Sequence, residues 1–234
     1  MKKMSIVLSC EHAVNTVPPK YNTLFRPYKD LLETHRSIDF GALSIANSLK
    51  GSLNCDLVVA KVSRLVIDCN RSLNHPQCFS EVTKPLSLEE KEELINHYYL
   101  PFRSQVKDLI QNHIEQGFQV WHLSIHSFTP IFEGVARNAD IGLLYDPKRP
   151  LEKEITKHWY AEIKKHSPEY RVRKNYPYAG TSDGHTTALR KQFNPSVYAG
   201  IEVESNQNLC KNAQNFTDYQ RKLTFSLMNI LQNV

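Results

Sequence analysis

The chain has 234 residues, of which 41% are hydrophobic, enough to bury a substantial core within one domain. Its 29 lysines and arginines exceed its 24 acidic residues by only five, and they are scattered along the chain. A nucleic-acid surface is normally a basic patch with interleaved aromatic residues, so we expect no nucleic-acid partner. Because the sequence contains no repeat, low-complexity segment or linker, we expect residues 1–234 to form a single domain.

The apolar segments are too short for a membrane span, which needs about 20 residues. The first of them, residues 6–8, is also too short for the apolar part of a signal peptide. We therefore expect a cytoplasmic protein with no membrane partner. The five cysteines are odd in number and none belongs to a CxxC pair, which argues against a disulfide scaffold or a zinc knuckle.

Short β-branched runs alternate with longer amphipathic segments along the chain, a pattern typical of an α/β fold. The pattern predicts strands at residues 5–9, 57–62, 120–125, 141–145, 170–174 and 198–203. It predicts helices at residues 38–49, 88–116, 151–165 and 215–231. Ser87 and Glu90 have the spacing of a capping box at the start of the second helix, and Pro101 is expected to kink or divide it. Such strands usually pair mostly in parallel, with helices on both faces of the sheet.

Reactive side chains follow the predicted strands rather than being spread at random. In open α/β sheets, ligands bind at the carboxyl ends of the strands. Four strands therefore direct polar groups toward one edge of the sheet. These groups are Glu11, His12, Arg64, Asp68, Asn70, Arg71, His126, Glu202 and Glu204.

His12 and His126 each follow a predicted strand, where their imidazoles can bind a shared metal ion. A lone histidine at such a position is more often a hydrogen-bonded structural residue, but two at equivalent positions favour a metal site. A catalytic zinc site uses three protein ligands and leaves one position for water. The spacing leaves the third ligand open between Asp39, which could also be a first-turn acid of the helix predicted at 38–49, and Glu11, which could orient a ligand from behind.

Residues 63–72 carry two arginines and an asparagine around an apolar run. Because a guanidinium pairs bidentately with a carboxylate, Arg71 together with Asn70 could hold a substrate carboxylate. Arg64 could donate to the oxyanion of a tetrahedral intermediate, with Asp68 holding one guanidinium in place. An internal network of salt bridges is the alternative interpretation of the same residues.

These residues belong to a series of motifs that resembles the N-formylglutamate amidohydrolases over most of the chain. The family is similar to the zinc carboxypeptidases and aspartoacylase, so the resemblance implies a zinc-exopeptidase-like fold. The motifs are Cys10-Glu11-His12-Ala13, His35, Asp39-Phe40-Gly41-Ala42, Ser63-Arg64, Asn70-Arg71, His97-Tyr98-Tyr99-Leu100-Pro101, Ser124-Ile125-His126-Ser127-Phe128-Thr129-Pro130, Asn175, Tyr178, Gly184-His185 and Ile201-Glu202.

The resemblance implies a zinc-dependent amidohydrolase, with one divalent ion per chain, that cleaves N-formylglutamate or another N-formyl or N-acyl amino acid. It implies that His12 and His126 are metal ligands and that Glu202 is the general base. Glu204 lies on the same face and is the alternative base. The remaining implied roles are the oxyanion donor Arg64 and the substrate-binding residues Asn70, Arg71 and His185, the last of which could instead be a surface-loop histidine.

The sequence departs from the superfamily pattern at one position. Carboxypeptidase-like enzymes have a glutamate ligand three residues after the first histidine, where this chain has Asn15. We therefore predict Asp39 as the third ligand and keep Glu11 as the alternative. Two other functions stay open: a hydrolase that uses Cys10 beside His12, and a non-catalytic carboxylate-binding protein whose metal site has degenerated.

Overall fold

The computed structural model describes residues 3–232, and a six-stranded sheet forms its centre. The order of strands in the sheet is β2-β1-β3-β8-β6-β7. All neighbouring strands are parallel except β6 and β8, which are antiparallel. A separate hairpin consists of β4 and β5. The strands are β1 (Met4–Cys10), β2 (Asp56–Val59), β3 (Gln119–Phe128), β4 (Ile131–Phe132), β5 (Val135–Ala136), β6 (Ile141–Leu144), β7 (Val172–Lys174) and β8 (Tyr198–Asn206).

Helices cover both faces of this sheet, as predicted from the strand pattern. One face packs against α3, α6 and α8, and the other against α5 and α7. The helices are α1 (Asn22–Phe25), α2 (Lys29–Leu32), α3 (Ala42–Leu53), α4 (Leu88–Leu94), α5 (Leu100–Glu115), α6 (Pro150–His166), α7 (His185–Arg190) and α8 (Ala213–Gln232). The prediction of a single α/β domain with a mostly parallel sheet is confirmed. Across residues 3–232, none of the helices combines the length and apolar character that crossing a membrane requires.

The hydrophobic cores on the two faces of the sheet follow from the alternation of side chains along the strands. Leu8 and Leu123 point to one face, where they join the core that contains Trp159 of α6. Val7 points to the opposite face and joins the core that contains Val106 of α5. Because successive side chains of a strand point to opposite faces, a strand with both sets apolar must be covered on both sides.

The predicted helix at 38–49 begins later than its sequence pattern indicates. Gly41 has a φ of +82°, a left-handed conformation that ends the preceding loop, and α3 begins at Ala42. Asp39 therefore lies in the loop before the helix. The alternative interpretation of Asp39 as an acidic residue in the first turn of the helix is wrong.

The predicted helix at 88–116 is divided, as Pro101 suggested. The capping box between Ser87 and Glu90 is present at its start. A π-helical turn, Ile95–Tyr99, separates α4 from α5, and Pro101 occupies the first turn of α5, where a missing N–H costs nothing.

Two strands differ from prediction in ways that affect the site. β2 ends at Val59, earlier than expected, so residues 60–71 form an irregular segment that turns toward the edge of the sheet. β3 extends to Phe128, so His126 lies within the strand and not after it. The predictions did not include the β4–β5 hairpin and α7, because elements of two to six residues show little periodicity.

Candidate active site

The segments that follow β1 and β2 and the carboxyl-terminal parts of β3 and β8 line one cleft of about 570 Å³. Clefts of this size accommodate small molecules. The cleft brings together most of the residues that the sequence singled out. These are His12, Asp39, Arg64, Asp68, Asn70, Arg71, His126, Glu202 and Glu204.

At the floor of the cleft, His12, Asp39 and His126 form a group whose ligand atoms lie within 4.8 Å of one another. The Oδ2 atom of Asp39 is 3.3 Å from Nδ1 of His12 and 3.0 Å from Nδ1 of His126. All three side chains are buried. The backbone N–H of Asp39 donates to the carbonyl of His12, which fixes the loop before α3 against the end of β1.

The second nitrogen of each imidazole has its own partner. Nε2 of His12 is 2.8 Å from Oδ1 of Asp68. Nε2 of His126 is 2.9 Å from the hydroxyl of Ser124 and 3.5 Å from Oε2 of Glu11. Such partners fix the orientation of a ligand ring, and here they direct both Nδ1 atoms at Asp39.

The electrostatics of this group favour a cation. Burial lowers the pKa of His126, but its hydrogen bond with Asp39 and the charge of Glu11 raise that pKa to about 10. Burial acts to raise the pKa of Asp39, yet the two histidines hold it well below its usual range. Two imidazole nitrogens and a carboxylate oxygen are a donor set that suits a divalent transition metal, so the residues present fit a zinc ion.

Arg64 and Asp68 form the wall beside this group. One guanidinium nitrogen of Arg64 is 3.0 Å from Oδ2 of Asp68 and the other is 3.5 Å from Oδ1 of Asp39. Asp68 therefore bridges His12 and Arg64, which confirms that it holds a guanidinium in place. The salt-bridge network considered from the sequence exists as well, and it includes the candidate metal ligands.

Asn70 and Arg71 continue the same segment. The backbone N–H of Asn70 donates to Asp68, and its side-chain oxygen accepts from the N–H of His185 at 2.8 Å. Nη1 of Arg71 donates to the carbonyl of Asp183 at 2.8 Å. Nε of Arg71 is buried and has no hydrogen-bond partner within residues 3–232, and Arg71 lines the cleft.

Glu11 lies behind the ligand group rather than in it. Its oxygens accept hydrogen bonds of 2.8 Å from Ser9 and Ser124, and Nδ1 of His185 is 3.4 Å away. Burial opposes ionisation, but the contacts with His185 and His126 hold the pKa of Glu11 well below its usual range. Between the two candidates for the third ligand, the geometry groups Asp39 and not Glu11 with the two histidines.

His185 is placed differently from its predicted role. It is the first residue of α7, is buried, and contacts Glu11 and the ring of Phe102 rather than the cleft. A direct contact with substrate is therefore not supported. His122, which the sequence reasoning missed, extends the same buried network through the hydroxyl of Ser9. Its spacing from Ser124 and His126 on alternate residues of β3 was the available sequence signal.

The two carboxylates of β8 point to the same side, as predicted. In the pairing of β3 with β8, Glu204 lies opposite His126 and Glu202 opposite Ser124. Glu204 is 5% exposed, and its Oε2 atom has no hydrogen-bond partner within residues 3–232. Burial raises the pKa of Glu204 to about 7, with Asp39 and Glu202 adding to the effect. Burial also raises the pKa of Glu202.

Asn15 and Cys10 bear on the two alternative functions. Asn15 donates to the carbonyl of Leu32 and to Glu33, so it lies away from the ligand group and Asp39 supplies the carboxylate instead. Cys10 is fully buried in the core, and burial raises the pKa of its thiol well above the usual value. A buried, protonated thiol is a poor nucleophile, which argues against the cysteine hydrolase.

Comparison with known proteins identifies relatives of the chain. The family model of N-formylglutamate amidohydrolase matches residues 4–210. A solved gene product of Agrobacterium tumefaciens is 29% identical, with a TM-score of 0.84 over 99% of this chain and 92% of that chain. None of the curated proteins matches the chain significantly.

Two further solved structures are more distant. An N-formylglutamate amidohydrolase from Ralstonia eutropha is 20% identical, with a TM-score of 0.73 over 100% of this chain and 95% of that chain, and it shares the fold. Murine aminoacylase 3 is 14% identical, with a TM-score of 0.40 over 98% of this chain and 65% of that chain, a similarity too weak to support a conclusion.

Proposed function

Because the chain belongs to the N-formylglutamate amidohydrolase family, we propose that it is a metal-dependent enzyme that cleaves the amide of an N-formyl or other N-acyl amino acid. The products are a small acid and a free amino acid. The observation that carries the proposal is the convergence of His12, Asp39 and His126 in a cleft that Arg64 and Arg71 also line. Cytoplasmic location and the absence of nucleic-acid and membrane partners stay predictions from the sequence.

The metal we propose is zinc, one ion per chain, held by His12, Asp39 and His126. When bound, such an ion polarises the scissile carbonyl and lowers the pKa of a water molecule toward about 7. Asp68 and Ser124 hold the two imidazole rings so that both Nδ1 atoms face Asp39.

The arginines have separate roles in this proposal. Arg71, with Asn70, binds the carboxylate of the substrate, because both residues line the cleft and a guanidinium pairs bidentately with a carboxylate. Arg64 donates to the oxygen of the scissile carbonyl as negative charge develops there. Asp68 and Asp39 hold the guanidinium of Arg64, so it need not reorganise during the reaction.

A carboxylate of β8 removes the proton from the attacking water and passes it to the leaving amine. The resemblance to the family named Glu202, and that assignment stays a prediction. The pairing of β3 with β8 favours Glu204, because it lies opposite His126. Its pKa of about 7 also suits a group that must both accept and release a proton near neutral pH.

The proposal is tested by metal removal and reconstitution. We expect the protein purified without chelator to hold about one zinc ion per chain and to release formate or another acid from one of a panel of N-acyl amino acids. Chelation should abolish this activity and added zinc should restore it. His126→Ala should lose both metal and activity, whereas His166→Ala, a partly exposed histidine at the end of α6, should keep both. Full activity of the His126→Ala variant would contradict the proposed site.

The non-catalytic alternative predicts a different result in the same experiment. A carboxylate-binding protein with a degenerate centre would bind amino acids through Arg71 but would neither hold zinc nor release acid. Elemental analysis of the purified protein therefore separates the two functions before any substrate is known.

A further inference from the structure

We propose, on the basis of the proposed function, that Tyr178 is a further catalytic residue whose hydroxyl donates a hydrogen bond to the oxygen of the scissile carbonyl as that oxygen becomes negatively charged. Tyr178 lies in the loop between β7 and α7 and lines the cleft together with the ligand group. It is 45% exposed, so its ring is accessible from the cleft rather than buried in the core.

The loop that carries Tyr178 is held in one position. The side-chain oxygen of Asn175 accepts from the N–H groups of both Tyr145 and Gly180. Gly180 packs so closely on the backbone of Tyr145 that an added Cβ would lie 2.2 Å from its nitrogen. These contacts on either side of Tyr178 place its ring on a fixed support, which a preorganised donor requires.

The direction of one hydrogen bond determines what the hydroxyl can do. Nη2 of Arg137 donates to the hydroxyl oxygen of Tyr178 at 3.0 Å. A guanidinium can only donate, so the phenol oxygen is the acceptor in this contact and its own O–H is left to donate elsewhere. Within residues 3–232 the structure gives that O–H no acceptor. The hydroxyl therefore has one donor to offer to a ligand in the cleft.

Arg137 is itself fixed. Its Nη1 donates to the hydroxyl of Thr129 at 3.2 Å, and its guanidinium lies 4.6 Å from the ring of Phe132 and 5.0 Å from that of Tyr178. This arrangement holds the tyrosine oxygen through a charged partner. It also polarises the O–H bond, which strengthens the hydrogen bond that the hydroxyl can donate.

The surroundings of the hydroxyl point to the reacting carbonyl rather than to the substrate carboxylate. Arg71 contacts Asp183 at the far end of the same loop, five residues from Tyr178. Tyr178 lines the cleft together with Asp39 and Glu204. Burial and the charge of Glu204 raise its pKa, so the hydroxyl stays protonated at neutral pH. It thus supplies a neutral donor in the same cleft to which Arg64 supplies a charged one.

An interaction made mainly with the developing charge lowers kcat when it is lost and leaves KM nearly unchanged. Tyr178→Phe removes the hydroxyl and keeps the ring. With zinc bound, we expect its kcat to fall about 10- to 100-fold, the lower part of the range for loss of one oxyanion donor. Zinc content, melting temperature and KM should stay close to those of wild type.

The matched control is Tyr176→Phe. Tyr176 lies in the same loop and its hydroxyl accepts from the backbone N–H of Asn138, but it is not part of the cleft lining. We expect this variant to resemble wild type. A phosphonate analogue of the tetrahedral intermediate should bind Tyr178→Phe more weakly than wild type, while binding of the free amino acid product should be unchanged.

The outcomes separate this inference from the proposed function. If wild type hydrolyses an N-acyl amino acid but Tyr178→Phe keeps its kcat, the inference is wrong and the proposed function stands. The same holds if Tyr178→Phe raises KM at unchanged kcat, which indicates a ground-state contact. If zinc-loaded wild type hydrolyses none of the N-acyl amino acids, the proposed function fails and this inference fails with it.

Discussion

Glu204→Gln should decrease turnover and increase the stability of the metal-free protein at the same time. The substitution keeps the size of the side chain and removes its charge. Glu204 is 5% exposed and its Oε2 atom has no partner within residues 3–232, so its ionised form is poorly compensated. A group placed in this way is unfavourable for folding, and the role we propose for it is proton transfer.

The size of the stability effect follows from the pKa of Glu204. In the folded protein, burial raises this pKa from its ordinary value of 4.5 to about 7. At about 1.4 kcal/mol per pKa unit, ionised Glu204 destabilises the folded state by about 3 kcal/mol. A raised carboxyl pKa favours folding below pH 4.5, and this contribution is lost as the pH rises through 7. The stabilising effect of Glu204→Gln should therefore be about 2–3 kcal/mol larger at pH 8 than at pH 5.

The assay is guanidinium unfolding of the metal-free protein at pH 5 and pH 8, for wild type, Glu204→Gln and Glu202→Gln. Turnover is then measured on the zinc-loaded proteins. We expect Glu204→Gln to reduce kcat by about 10²-fold or more, which corresponds to about 3 kcal/mol in the barrier. Burial also raises the pKa of Glu202. We therefore expect Glu202→Gln to increase the stability of the metal-free protein as well.

Two results would refute this reasoning. If Glu204→Gln shows the same pH dependence of stability as wild type, the carboxyl is not held in its neutral form by burial. If Glu202→Gln loses turnover while Glu204→Gln keeps it, the general base is Glu202, as the sequence resemblance indicated.

The remaining predictions concern the clamp, the thiols and the interior. Arg71→Lys keeps the charge but loses the planar fork. Its kcat/KM for acid substrates should therefore fall by a factor that corresponds to about 2–3 kcal/mol of transition-state binding, while kcat/KM for amidated substrates should change little. Arg171→Lys, at an exposed arginine that pairs with Asp140, is the control and should leave kcat/KM unchanged. A thiol reagent should spare Cys10, Cys69 and Cys78 in the native protein, because burial raises their pKa values, and should leave turnover intact. Loss of turnover in step with modification of Cys10 would favour the cysteine hydrolase. Glu152→Ala should destabilise the protein by about 3–5 kcal/mol, because it leaves the buried guanidinium groups of Arg149 and Arg190 without their carboxylate. Glu169→Ala, at an exposed pair with Lys222, should change the free energy of unfolding by less than about 1 kcal/mol.

The sequence by itself determined the class of fold and the identity of most residues at the site. Consecutive apolar side chains, as at Val7 and Leu8, give a strand two buried faces, and this requires helices on both sides of the sheet. The amphipathic patterns of α6 and α8 extend over enough residues that the sequence predicts the ends of both helices to within a few residues. The motifs around His12 and His126 were recognisable because they follow, or lie in, such strands.

Only the tertiary structure decided how these residues are used. Asp39 is 27 residues from His12 and 87 from His126, and no local spacing brings the three together. The hydrogen bond from the backbone of Asp39 to that of His12 does so, and it depends on the path of the loop before α3. His185 likewise lies outside the cleft because of contacts with residues distant in the chain, Glu11 and Phe102. Contacts between residues distant in the chain depend on how strands pair and loops close, and periodicity contains no information about either.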